Sequence, residues 1–159
     1  FTKFRVQPIT GALGAEVFGV DIANDRGPEL LAELRRALGR YHVLALRDQA
    51  LGPAQLHEVR KSFGPFSGNP VHEHVGEYED IVVLAREPEE TGKVIGENWH
   101  MDLAWLSAPP GLTMLYGEVV PPFGGDTCFT SLEQAYKTLS PGMKKLIAPL
   151  VAVRLSPGS

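Results

Sequence analysis

Apolar positions alternate or cluster in short runs over the first twenty residues. Phe4-Arg5-Val6 and Ala15-Glu16-Val17-Phe18-Gly19-Val20 read as strands, with Gly11, Gly14 and Gly19 punctuating them as turns or bulges. The period then changes. Leu30, Leu31, Leu34 and Leu38 recur at helical spacing, Pro28 suits a first helical turn and Gly39 a stop, which predicts a helix over 28–40. An apolar strand is expected over 41–46, containing His42 as a packed core histidine. A second amphipathic helix follows over 53–63, with Leu56, Val59 and Phe63 on one face and Gly64-Pro65 at its end.

The second half alternates loops with short apolar runs. Residues 64–80 are rich in Gly, Pro, Asn and acidic residues; 81–84 predicts a buried strand; 86–97 is a polar loop. Strands are expected over 112–120, 127–130 and from 151 to 155, and helices over 132–139 and 143–150. Ser131, with Gln134 three residues on, has the form of a capping box, and Ser140 can cap the next helix. The pattern is mainly β with flanking helices, an α+β layout. At 159 residues the chain is one domain's worth, able to bury a sizeable core.

Composition narrows this little. Hydrophobic residues at 43% and charged residues at 21% are ordinary for a globular chain. The formal net charge of -4 argues against a nucleic-acid partner, because phosphate binding favours a basic face. No run of about 18 apolar residues exists, so no membrane span is expected. The single cysteine, Cys128, rules out an internal disulfide and fits a reducing cytoplasm. With no basic neighbour to activate it, Cys128 reads as a buried, inert thiol. Glu87, Glu89 and Glu90 read as a solvated loop, and Trp99 and Trp105 as core or pocket-wall residues. Both ends read as cut: there is no initiator Met, and 154–159 stop in loop-like residues after an apolar run. The oligomeric state is not set by the sequence, and a homo-oligomer is open.

The chemistry concentrates at Trp99-His100-Met101-Asp102. In an extended segment, residues two apart point to the same side, so His100 and Asp102 can face one ion. An imidazole and a carboxylate suit Fe(II), with a further His completing a facial triad and leaving positions open. The same spacing also fits a plain His–Asp hydrogen bond on a surface strand. Downstream, Gly124-Gly125-Asp126-Thr127 permits a positive-φ turn and supplies a hydroxyl able to donate to a carboxylate.

Several motifs in order resemble the taurine dioxygenase and 2,4-dichlorophenoxyacetate dioxygenase family. They are Ile9-Thr10-Gly11-Ala12-Leu13-Gly14-Ala15, Gly19-Val20-Asp21, Val43-Leu44-Ala45-Leu46-Arg47-Asp48-Gln49, Phe63-Gly64, Asn98-Trp99-His100-Met101-Asp102, Ala108-Pro109-Pro110 and Gly124-Gly125-Asp126-Thr127. The segment carrying Tyr136, Leu139 and Ser140 is similar to the helix that follows. The resemblance implies an Fe(II)- and 2-oxoglutarate-dependent dioxygenase with a double-stranded β-helix, or cupin-like jelly roll, incomplete at its C-terminal side. It implies O2 and a small organic molecule as the other reactants, with succinate and CO2 released. By position it makes His100 and Asp102 iron ligands and Thr127 a hydrogen-bond donor to a 2-oxoglutarate carboxylate. Asn69, His72, Gly96 and Leu103 fall on substrate-pocket positions. Taurine dioxygenase has His, Tyr and Asn where this chain has Asn69, His72 and Gly96. An alkylsulfonate, alkyl sulfate or aryloxy acid is therefore expected rather than taurine.

Relatives of that kind are nearly twice as long, and the third iron ligand and the arginine that anchors 2-oxoglutarate are expected beyond residue 159. No His follows Asp102. The chain thus reads as a single dioxygenase domain over 1–159 lacking its C-terminal part. The other reading is a catalytically incomplete jelly-roll domain with a binding or interaction role.

Overall fold

The computed structural model describes residues 1–66, 74–92 and 94–155. These fall into two compact units, residues 1–50 with 116–152, and residues 51–115 with the segment from 153.

The first unit is built on a three-stranded sheet of order β1-β2-β3. β1 (Arg5–Pro8) and β2 (Ala15–Phe18) pair antiparallel, Val6 opposite Val17. The turn between them closes where the Ile9 amide donates to the Gly14 carbonyl at 2.9 Å, with Gly14 at φ +86 in the left-handed region that glycine tolerates. α1 (Pro28–Tyr41) carries the chain back to β3 (Leu44–Leu46), which pairs parallel to β2 with Val17 opposite Leu46. Leu30, Leu31, Leu34 and Ala37 lie along one stripe of α1 and are buried, as are Phe4, Ala15, Val17 and Ile22. Each buried leucine contributes about 1.5–3 kcal/mol relative to exposure. Gln49 ties the strand exit to the β2 exit: its Oε1 accepts from the Ile22 amide and its Nε2 donates to the Val20 carbonyl, both at 2.9 Å.

α1 runs two residues past Gly39. It ends where His42, at φ +64, donates its amide to the Leu38 carbonyl at 2.7 Å. His42 is therefore a helix cap, not a strand residue, and its Nε2 lies 3.5 Å from the Glu133 carboxylate. The two short C-terminal helices, α3 (Leu132–Thr138) and α4 (Pro141–Ile147), begin at the expected serines. Ser131 Oγ accepts from the Gln134 amide at 3.2 Å and Ser140 Oγ from the Met143 amide at 3.1 Å.

In the second unit α2 (Pro53–Phe63) packs on the hairpin of β4 (His74–Val75) and β5 (Tyr78–Val82). Val59 is its most enclosed side chain. The join is polar as well. Asp80, whose side chain is only 4% exposed, accepts from His57 Nδ1 at 2.7 Å and from Arg60 Nε. The Tyr78 ring lies against the His57 ring, their centroids 5.2 Å apart. Burial pushes the Asp80 carboxyl up, but the hydrogen bonds from His57 and Arg60 outweigh it and hold the pKa below the ordinary aspartate value.

Three expectations change. The strand placed at 81–84 begins earlier, at Tyr78, and leaves Val83 and Leu84 exposed. Residues 112–120, 127–130 and 151–155 form no regular strand; Val119, Val120, Phe123 and Val151 are largely exposed. A strand needs a hydrogen-bonded neighbour, and among the described residues none pairs with these segments. Cys128, on one of them, is accordingly exposed rather than buried. The described residues are a mixture of helix and strand, with more helix than strand.

Candidate functional site

The His100–Asp102 pair follows a tight turn. Gly96 adopts φ +81, and the Glu97 amide donates to the Val94 carbonyl at 3.2 Å. A Cβ on Gly96 would meet His100 Cε1 at 3.3 Å, so the bare backbone lies against the imidazole edge. Nδ1 of His100 is 2.7 Å from the Asn98 carbonyl oxygen. A carbonyl only accepts, so Nδ1 carries the proton and donates. In the neutral ring Nε2 is then left with its lone pair, the form in which histidine binds metals.

That Nε2 stands 3.2 Å from Asp102 Oδ1. Two lone-pair atoms at this distance need a cation or a second imidazole proton between them. Two donors each about 2.1–2.2 Å from an octahedral metal and at right angles are about 3 Å apart, so the bite of the pair fits a divalent ion. The other carboxylate oxygen, Oδ2, accepts from Thr113 Oγ1 at 2.6 Å. Both side chains are about half exposed, at 54% and 44%. Among the described residues no third His, Cys, Asp or Glu joins them.

The remaining predicted residues are distributed as follows. Leu103 follows the pair directly, partly buried, at φ +47. Gly96 contributes backbone only, against His100. Asn69 and His72 lie outside the described residues. Thr127 belongs to the first unit, on the exposed segment after Gly124 and Gly125, whose φ values of +77 and +69 make the expected left-handed turn. Trp99, expected to pack, is 71% exposed. Sequence reasoning missed Thr113. Nothing in its spacing from Asp102 marks it, since the contact depends on the turn over 102–105, closed by the Leu106 amide on the Leu103 carbonyl, and the bend after it. A 390 Å³ hollow in the first unit, bordered by Asp21, Arg47 and Asp48, contains none of the predicted site residues.

The fold has counterparts among dioxygenases. The crystal structure of a taurine dioxygenase from Burkholderia xenovorans superposes with a TM-score of 0.73 at 30% identity, covering 92% of this chain and 51% of that one. The chain belongs to the taurine catabolism dioxygenase TauD, TfdA family, whose family model matches residues 5–157. An alkylsulfatase of Acinetobacter baylyi is 27% identical, over 95% of this chain and 47% of its own length. An alpha-ketoglutarate-dependent sulfate ester dioxygenase of Pseudomonas putida is 30% identical, over 95% of this chain and 49% of its own length. The alpha-ketoglutarate-dependent 2,4-dichlorophenoxyacetate dioxygenase of Cupriavidus pinatubonensis is 29% identical, over 83% of this chain. The chain spans about half the length of the curated relatives it matches. No helix among the described residues is long and apolar enough to cross a membrane.

Proposed function

We propose that this chain is the N-terminal half of an Fe(II)- and 2-oxoglutarate-dependent dioxygenase that hydroxylates a small organic anion, releasing succinate and CO2. The observation that carries the reading is the His100–Asp102 pair, with Nδ1 engaged on Asn98 and Nε2 and Oδ1 3.2 Å apart. Family membership supports it, as do relatives named for sulfate esters and 2,4-dichlorophenoxyacetate. A sulfate ester, sulfonate or aryloxy acid is the substrate class this favours.

In this reading His100 and Asp102 supply two protein ligands to iron. The third ligand and the arginine facing 2-oxoglutarate come from the remaining length of the protein, which also supplies strand neighbours for 112–120 and 127–130 and so closes the jelly roll. Iron supplies the activation of O2 and the oxidation of substrate. The Asn98 carbonyl keeps the His100 proton on Nδ1, so that Nε2 stays available. The Thr127 hydroxyl donates to a 2-oxoglutarate carboxylate. Leu103 and the Gly96 turn border the substrate. Gly96 offers no side-chain amide there, and its bare backbone instead lets the His100 imidazole pack close against the turn.

The test is succinate release by the full-length protein, given Fe(II), 2-oxoglutarate and a panel of sulfonates, sulfate esters and aryloxy acids. Turnover is expected to need Fe(II) and to fall at least about a thousandfold in His100→Ala and Asp102→Ala, since two of the metal's anchors are at stake. Turnover by either variant at the unmodified rate would refute the assignment.

A further inference from the structure

We infer that Thr113 is the positioning residue for the Asp102 carboxylate; the inference rests on the metal reading above. The carboxylate torsion of aspartate is soft and roughly two-fold, so an untethered Asp102 could present either oxygen or both. Thr113 removes that freedom. Its hydroxyl donates to Oδ2 at 2.6 Å, at the short end expected of a charge-assisted bond. Its β-branched side chain is stiff about χ1, which makes it a firm anchor. With Oδ2 engaged, Oδ1 is left turned toward His100 Nε2 at 3.2 Å.

The consequence is a carboxylate that offers one oxygen to a cation, not two. A two-oxygen grip would take up a position next to the metal that a bidentate co-substrate or O2 needs. Asn98 and Thr113 play matched parts, one turning the imidazole and the other the carboxylate, so that one free atom from each side chain faces the same point. Partners of this kind, removed, weaken metal binding by about 10–100-fold.

The experiment is Mn(II) titration of the full-length protein, followed by calorimetry and by the electron paramagnetic resonance of free Mn(II). Wild type, Thr113→Val, Thr113→Ala, Thr113→Ser and Asp102→Ala are compared, with thermal unfolding of each metal-free protein as the folding control. Thr113→Val and Thr113→Ala are expected to bind Mn(II) about tenfold or more weakly with unchanged metal-free unfolding, and Thr113→Ser to stay within about threefold of wild type. Wild-type affinity in both hydroxyl-free variants, or equal weakness in Thr113→Ser, would overturn the inference while leaving the metal site standing. Mn(II) binding that is absent in wild type, or unaffected by Asp102→Ala, would overturn the metal reading and this inference with it.

Discussion

Replacing Asp80 by alanine removes the acceptor that joins α2 to β5. Two donors converge on that carboxylate, His57 Nδ1 at 2.7 Å and Arg60 Nε, and the Asp80 side chain is 4% exposed. A hydrogen bond to a charged group contributes about 1.5–3 kcal/mol when its partner is left buried and unpaired. His57 and Arg60 are 29% and 24% exposed, so their vacated donors can reach water, which lowers the sum. The expected loss is about 2–3 kcal/mol for Asp80→Ala and about half that for Asp80→Asn, which keeps one acceptor oxygen. In urea, with a slope of about 2 kcal/mol/M, the alanine variant should unfold about 1–1.5 M earlier at neutral pH. The gap should depend on pH. The folded pKa of Asp80 is depressed, so its stabilisation is fully present above the ordinary aspartate value of 3.8 and is lost as pH falls through the lower folded value. Wild type and variant should therefore converge in acid. A neutral-pH difference under about 0.5 kcal/mol, the scale of an ordinary surface change, would refute the reasoning, as would a gap that persists unchanged in acid.

Two further predictions concern other joints. Gly96→Ala places a Cβ 3.3 Å from His100 Cε1 at a backbone angle of φ +81; it should cost about 1–2 kcal/mol of stability and weaken Mn(II) binding, read by thermal unfolding and titration. Glu33 accepts from the Lys3 and Thr2 amides at 3.0 and 2.9 Å, and chiefly the Lys3 bond lowers its pKa from 4.5 to about 2. Its contribution is present above pH 4.5 and lost as pH falls toward 2, so Glu33→Gln should be less stable than wild type at neutral pH and indistinguishable from it near pH 2, measured by thermal unfolding across that range.

Local chemistry was legible where the element is completed by its own neighbours. The leucine stripe of α1, Pro28 at its start, the serine caps of α3 and α4 and the glycine pair at 124–125 all depend on residues within one turn or one helix. Elements whose state depends on distant partners were not legible. Residues 112–120 have the composition of a strand, but composition cannot provide the adjacent strand. Gly39 looked like a stop, yet the left-handed conformation fell to His42, where the chain must turn into β3. At the candidate site, the spacing of His100 and Asp102 was readable, but the 3.2 Å approach of Nε2 and Oδ1 is made where Asp102 opens a turn rather than along an extended strand. Thr113 was not, because a hydroxyl eleven residues away becomes a neighbour only after the chain folds back.

The uncovered apolar run at Val119, Val120 and Phe123 bears on how the protein is made. On a ribosome adding about 5–20 residues per second, each further hundred residues of any chain takes about 5–20 s to emerge. Residues that are 93%, 71% and 87% exposed meet solvent or a chaperone for as long as nothing is packed on them. The segment beside the Gly-Gly turn is thus one that a chaperone recognising exposed apolar surface would bind on a newly made chain.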